Sequence, residues 1–429
     1  MSTRILLFVF VLIGFISINS CENLQEDDNT RSYKNPIKIG VVGDITIGRD
    51  VAENNFLGVK LAADEINSQG GITINNTTHE IELIFKNSDG NPEVGLQVIE
   101  EFIDQNIHII IGPTISQVAM DMAKRCIEKN ILMISYSSTI PDLSELIDRN
   151  LIWRTCPSDV FSGDIMASYT MDSLEITKAA ILYRDDNFGR AMKDIIQYKY
   201  ESIGGEIVAV TGYPTDDTEL NLFNFSTYLN DLLIEKPGII FSAIFELESG
   251  KITQDIWASA LYQNYEVKPP LFLVEGGFLK ELTTNGQPDV VKTILGISSS
   301  TSNNPNYITF ENNYIEEYGF SPTSYTEHAY DALYSVAYAI QKSQSTQTGN
   351  IAENLRLVTG GTGSNENAVK INTNEFTIAK NLLEKNVDIN YNGPSGSIAF
   401  DENGDPKSAF VIWEIKNGEY NELTYIEKR

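Results

Sequence analysis

Two short hydroxyl-bearing segments are the places where this chain could do chemistry: Gly112-Pro-Thr-Ile-Ser116 and Ser135-Tyr-Ser-Ser-Thr139. Each follows an apolar run of the kind that forms a buried strand, and the first also precedes a helical pattern. Hydroxyls gathered there suit hydrogen bonding to a small polar ligand. Open α/β sheets bind ligands beyond the carboxyl ends of their strands, where helix starts offer unpaired N–H groups. Ser116 either caps the helix that follows or turns its hydroxyl toward an anionic ligand group. The hydroxyls of 135–139 are either local turn formers or binding groups. A third segment, Leu273-Val-Glu275-Gly-Gly277, ends an apolar run with a carboxylate beside two glycines, which let backbone and ligand approach closely.

Catalysis has less material. Three Cys and three His leave little for a zinc site or a Cys/His nucleophile, and His79, His108 and His328 are scattered. No catalytic residue, metal site or cofactor is therefore expected. Thr359-Gly-Gly-Thr-Gly363 has the glycines of a phosphate loop, but no Gly-Lys-Ser/Thr follows, so it reads as a flexible surface loop. Asp401-Glu-Asn-Gly-Asp405 fails the EF-hand spacing and reads as a turn between strands.

The elements that must position these segments alternate. Ile37 to Gly43, Glu80 to Lys86, Ile107 to Ile111 and Ile131 to Ser135 read as strands. Between them lie helical patterns carrying Phe56 to Ile66, Val98 to Ile103 and Val118 to Ile127. A second series starts after Pro157: strands at 178–183, 206–210, 238–244 and 271–274, and helices at 188–203, 220–234 and 253–265. The fold class is therefore α/β, with two doubly wound Rossmann-like lobes in tandem. At 429 residues the chain has room for two or three domains of roughly 100–200 residues each. With 31 Lys+Arg against 59 Asp+Glu, the net charge of −28 argues against nucleic acid and anionic membrane surfaces as partners. It permits a cationic or zwitterionic small ligand.

The start of the chain reads as an address. Arg4 and the apolar run Ile5 to Ile16 form the n- and h-regions of a signal peptide. That run rises only about 18 Å as a helix, short of the roughly 30 Å hydrocarbon core. Ile18-Asn-Ser-Cys21 resembles a bacterial lipobox, in which Cys21 is lipidated after removal of residues 1–20. Residues 21–36 follow as a polar tether. Cys126 and Cys156 remain, and an oxidising compartment permits a bridge. Their settings, inside a helical pattern and just past a strand, favour two buried thiols.

Ordered motifs carry a resemblance. Gly58 with Ala62-Ala-Asp-Glu-Ile-Asn67, Asp89-Gly90, Ile111-Gly-Pro113 with Ser116, Ile134 to Thr139 and Trp153-Arg-Thr155 come first. Tyr183-Arg-Asp-Asp186 with Phe188-Gly189, and Gly393-Pro-Ser-Gly396 with Phe400-Asp401, complete the order. Over residues 37 to 420 the chain resembles the leucine/isoleucine/valine-binding protein family, solute receptors of the type I periplasmic-binding-protein fold. The resemblance implies two lobes joined by a three-crossing hinge, with crossings near 154–158, 298–304 and 390–394. Lobe one would then comprise 37–154 plus 303–392, and lobe two 155–302 plus 393–429.

The same resemblance implies a ligand site in the interlobe cleft. Ser116, Ser138 and Thr139 match ligand-contacting positions, with Tyr136 as a wall for the ligand's body. Glu275 matches the acidic partner of a ligand ammonium. Phe245 stands where relatives often carry Tyr, which keeps the apolar wall and loses the hydroxyl. The loop 44–49 should border the side-chain pocket. The implied function is an envelope-located, lipid-anchored binding protein, at the periplasmic face or outer surface. It would capture an amino acid or similar ligand and deliver it to an ABC transporter permease, with no enzymatic activity. The alternatives are a sensor of the same fold and, on weaker grounds, a cell-wall enzyme or its activator.

Overall fold

Short runs of Ile, Val and Leu without polar interruption have one stable setting, a parallel strand covered on both faces. In the computed structural model, which describes residues 33–44, 49–215, 222–274, 279–299, 304–406 and 408–427, the apolar runs become such strands. The first series is β1 (Ile37–Gly43), α1 (Arg49–Ser68), the hairpin β2 (Ile72–Ile74) and β3 (Thr77–His79), β4 (Ile81–Asn87), α2 (Pro92–Asp104), β5 (Ile109–Ile111), α3 (Ser116–Lys129), β6 (Leu132–Ser135) and β7 (Ile152–Arg154). Its sheet is entirely parallel, in the order β4-β1-β5-β6-β7. Ile110, Met133, Phe102 and Met122 meet in its core without solvent exposure. Each such side chain contributes about 1.5–3 kcal/mol relative to exposure.

The second series is α4 (Asp159–Asp172), β8 (Lys178–Arg184), α5 (Asn187–Ser202), β9 (Glu206–Tyr213), α6 (Ser226–Leu233), β10 (Ile239–Ala243), α7 (Glu246–Ala258), α8 (Ala260–Gln263), β11 (Leu271–Leu273), α9 (Leu279–Asn285), α10 (Pro288–Val291) and β12 (Leu295–Ser299). The expected single helix over 253–265 is instead two, because Ser259 takes extended backbone (φ −69°, ψ 124°) between α7 and α8. The tail supplies α11 (Pro305–Tyr318), α12 (Thr326–Ser343), α13 (Thr348–Val358), β13 (Val369–Ile371), α14 (Phe376–Leu383), β14 (Ile389–Gly393), β15 (Gly396–Ser397), β16 (Ala409–Lys416) and β17 (Glu419–Glu427). β16 and β17 add antiparallel to a seven-stranded sheet of order β17-β16-β12-β11-β10-β8-β9. Helix α12 packs on α1 and α13. It carries Tyr330, Tyr334 and Tyr338 four residues apart, in ring contact with one another and with Tyr391 and Phe376.

Helix α12 also ties down the segments that connect the sheets. His328 Nδ1 lies 2.8 Å from Thr155 O, and Thr155 Oγ1 donates back to His328 O at 2.8 Å. Burial pushes the His328 imidazole down to about 4. Asp331 accepts from Tyr391 OH at 2.6 Å and from Ser395 N at 2.8 Å. Burial raises its carboxyl to about 7 against the pull of those donors. Gly393 fits beside it because a Cβ there would stand 1.9 Å from Asp331 Oδ1. Asn304 Nδ2 donates to Gly393 O at 2.8 Å and Pro394 O at 2.9 Å.

The loop 359–363 departs from the flexible reading. Thr362 N donates to Phe400 O at 3.0 Å, and a Cβ on Gly361 would come within 2.2 Å of that same oxygen. Gly360 and Gly361 serve close packing, against Asn390 and Phe400. The 401–405 segment is a turn, with Asp401 Oδ1 accepting from Asn403 N at 2.8 Å and Asp405 N at 3.1 Å. Cys126 and Cys156 are buried and are not joined in a disulfide. The signal segment, Cys21 and the tether up to residue 32 lie outside the described residues.

Candidate functional site

The carboxyl ends of the first sheet bring four loops together. Asp44, immediately after β1, is fully buried. Its carboxylate accepts from Thr114 N at 2.9 Å, Ile115 N at 2.8 Å and Gly90 N at 3.3 Å. The start of α3 is thus already answered by a carboxylate of the chain, the favourable sign for a helix N-terminus. Burial raises the Asp44 carboxyl to about 6, with the three N–H donors pulling the other way. Ser116 opens α3 as its first residue. The cap position belongs to Ile115, so Ser116 does not act as the N-cap.

The 135–139 segment divides into hydroxyls in use and one left over. Ser135 Oγ donates to Pro113 O at 3.0 Å and accepts from Ser138 N at 3.0 Å, while Ser137 Oγ donates to Thr114 O at 2.9 Å. Tyr136 OH reaches Val42 O at 3.1 Å and Thr114 Oγ1 at 2.8 Å. Tyr136, buried, braces β1 against the 112–116 loop. Thr139 Oγ1 donates to Asp159 Oδ2 at 2.8 Å. Ser138 Oγ is buried without a hydrogen-bond partner. An unmade bond of this kind costs about 1–3 kcal/mol. Behind the segment, Arg154 ends β7 and holds Asp405 with two contacts at 2.6 and 2.9 Å. It also donates to Ile140 O at 2.7 Å and Ser138 O at 3.3 Å.

The corresponding ends of the second sheet are charged and aromatic. Arg184 ends β8, donates to Glu248 Oε1 at 2.7 Å and Asp186 Oδ2 at 2.5 Å, and lies 3.7 Å over the Phe245 ring. Phe245 follows β10, precedes α7 and stacks on Phe188 at 5.1 Å. Glu248 Oε1 also accepts from Phe245 N at 2.9 Å and Tyr213 OH at 2.7 Å. Its Oε2 is buried without a partner. Asp186 caps α5 through Gly189 N at 2.9 Å.

Of the residues expected from sequence, Ser116, Tyr136, Ser138 and Thr139 gather at the first set of strand ends, and Phe245 stands at the second. Glu275 and residues 45–48 lie outside the described residues. Asp44, Arg184, Phe188 and Glu248 were not singled out as site residues. The Asp44 contacts span 46 to 71 residues, and Glu248 reaches Tyr213 and Arg184 across 35 and 64, beyond the reach of local patterns; only its bond to Phe245 N is local. Among the described residues no cluster of three metal-ligating side chains occurs, and no helix is long and apolar enough to cross a membrane.

Residues 56–418 match the family model described as the receptor family ligand binding region. The chain belongs to the leucine/isoleucine/valine-binding protein family. A Leu/Ile/Val-binding protein homolog of Brucella abortus is 23% identical over 86% of this chain and 88% of its own length. The chemotactic signal transduction system substrate-binding protein BasB of Halobacterium salinarum is 22% identical over 85% of this chain and 83% of its own. The branched-chain amino acid transporter substrate binding protein LivJ of Streptococcus pneumoniae, solved with isoleucine, superposes with a TM-score of 0.71 at 19% identity. That superposition covers 92% of this chain and all of the other (100%). The fold is that of the type I periplasmic binding proteins. As a member of this family the chain is a solute-binding protein and not an enzyme.

Proposed function

We propose that this solute-binding protein captures a small amine-bearing ligand, an amino acid or a derivative, between two lobes built on the two sheets. The lobes are those delimited above, residues 37–154 with 303–392 and residues 155–302 with 393–429. The observation that carries the reading is the buried Ser138 hydroxyl without a partner, at a position matching a ligand contact in the family. A ligand group arriving there would make the missing bond, so ligand binding and lobe closure reinforce each other. Ser116 and Thr139 flank it, Phe245 lines the opposite side, and Glu275 receives the ammonium. Charge-assisted bonds of about 1.5–3 kcal/mol each, four or five together with an apolar wall, reach the roughly −8 kcal/mol of micromolar binding. Calorimetry with a panel of amino acids and amines should give at least one such ligand. X-ray scattering should then show contraction at saturation; an unchanged curve with bound ligand would reject closure.

The protein is tethered by lipid on Cys21 and hands its ligand to an ABC transporter permease. Cys21→Ser should move it from the membrane to the soluble fraction, and continued fractionation with lipid rejects the anchor. A sensing role is the second reading, favoured by the similarity to a chemotactic substrate-binding protein. Co-purification of a permease under ligand saturation separates the two.

A further inference from the structure

We infer that the ligand of this protein is an organic cation, an amine carrying more positive than negative charges, rather than a zwitterionic α-amino acid or a carboxylate. The inference rests on the cleft reading above and concerns only what the cleft selects. Helix starts at strand ends are where an anionic ligand group ordinarily finds N–H donors and a positive dipole end. Here four such starts already have a carboxylate of the chain. Asp44 accepts two N–H groups at the entry to α3. Asp159 lies in the first turn of α4 and accepts the Thr139 hydroxyl. Asp186 caps α5. Glu248, in the first turn of α7, accepts from Phe245 N.

The guanidiniums do not redress the balance. Arg184 is held between Asp186 and Glu248, and Arg154 is committed to Asp405 and two carbonyls. Among the described residues these clusters therefore set the carboxylates Asp44, Asp186, Glu248 and Asp405 against two cations, Arg154 and Arg184. Ser138 Oγ and Glu248 Oε2, one at each set of strand ends, are buried without hydrogen-bond partners. Both can accept a hydrogen bond from an ammonium, and the carboxylate can only accept. A ligand carboxylate entering this cleft meets like charge where an open helix start would offer donors, while an ammonium meets acceptors.

The test is calorimetric titration of the full chain with putrescine, L-lysine, L-leucine and benzoate at pH 7.5, repeated on the Glu248→Gln variant. Putrescine or lysine should bind at least tenfold more tightly than leucine, and benzoate should give no heat. Glu248→Gln should weaken the cation at least fivefold in a protein that still unfolds cooperatively. Should that variant prove unstable, Asp44→Asn should weaken the cation in the same direction. Leucine or benzoate binding as tightly as the cations, or a folded Glu248→Gln or Asp44→Asn protein that keeps full cation affinity, overturns the inference and leaves the cleft reading standing. If none of the four binds and a wider amino-acid and amine panel is equally silent, the cleft reading itself falls.

Discussion

Two arginines end strands in the two sheets, and the contrast between them separates architecture from function. Arg154, at the end of β7, is 1% exposed and satisfied on every side by Asp405, Ile140 O, Ser138 O and Ser144. It ties the turn at 401–405 to the hydroxyl segment and leaves nothing over. Arg184, at the end of β8, is 11% exposed in its side chain, lies over an aromatic ring and shares Glu248 with Tyr213 and a backbone N–H. One Glu248 oxygen beside it has no partner. Among the described residues the first set of strand ends is a hydrogen-bond network with the Ser138 hydroxyl in reserve. The second keeps a charged, partly accessible edge.

Removing each arginine sharpens that contrast most. Arg154→Ala leaves Asp405 buried without its cation, and breaking such a pair costs about 3–5 kcal/mol. Arg184→Ala should cost less, about 1–3 kcal/mol, because Glu248 retains two donors. Urea unfolding of both variants measures the difference. Equal losses would mean that the second cluster is as structural as the first.

The next largest effect comes from a carboxylate held by backbone N–H groups. Asp44 is held by backbone N–H groups, and burial lifts its carboxyl from the ordinary 3.8 to about 6. The native protein therefore binds this proton more readily than the unfolded chain. Its contribution to stability is complete below the ordinary value and is lost as pH rises through about 6. A shift of this size corresponds to about 2–3 kcal/mol. Asp44→Asn removes that pH-dependent loss, so the stability difference between variant and parent should change between pH 4 and 7. A constant difference across that range contradicts the raised carboxyl. Tyr136, the titratable neighbour across the loop, is itself pushed up by burial and stays protonated throughout.

The same contrast explains what the sequence made legible. Uninterrupted runs such as Ile109-Ile-Ile111 announce buried parallel strands because nothing else accommodates them, and the alternation with helices follows. Helix α4 escaped because its buried positions are Asp159, Ser162, Gly163, Met166, Ala167 and Thr170, which form no apolar stripe. The β2–β3 hairpin escaped although Asn75 and Asn76, at φ 48° and 63°, carry the turn signal of two left-handed residues. Edge strand β17, EYNELTYIE, is too polar to read as a strand alone and depends on β16 for its pairing. Within the site, hydroxyl-rich loops are visible as composition. Which hydroxyl is in use is not, because Thr139 finds Asp159 and Ser138 finds nothing only after the loops meet.

That last distinction gives the smallest change in stability and the most direct test of the hydroxyl held in reserve. Thr139 and Ser138 are adjacent, similar in chemistry and both buried. Thr139→Val removes the donor to Asp159 and leaves a buried carboxylate with one hydrogen bond fewer, so it should destabilise the fold by about 1–3 kcal/mol. Ser138→Ala removes a hydroxyl that makes no bond within the protein. Its unfolding free energy should stay within about 0.5 kcal/mol of the parent or rise slightly, since an unsatisfied buried group is relieved. Ligand affinity should nevertheless fall roughly five- to tenfold, the worth of about one net hydrogen bond. Stability lost together with affinity would place the Ser138 hydroxyl in the framework, whereas affinity lost alone assigns it to the ligand.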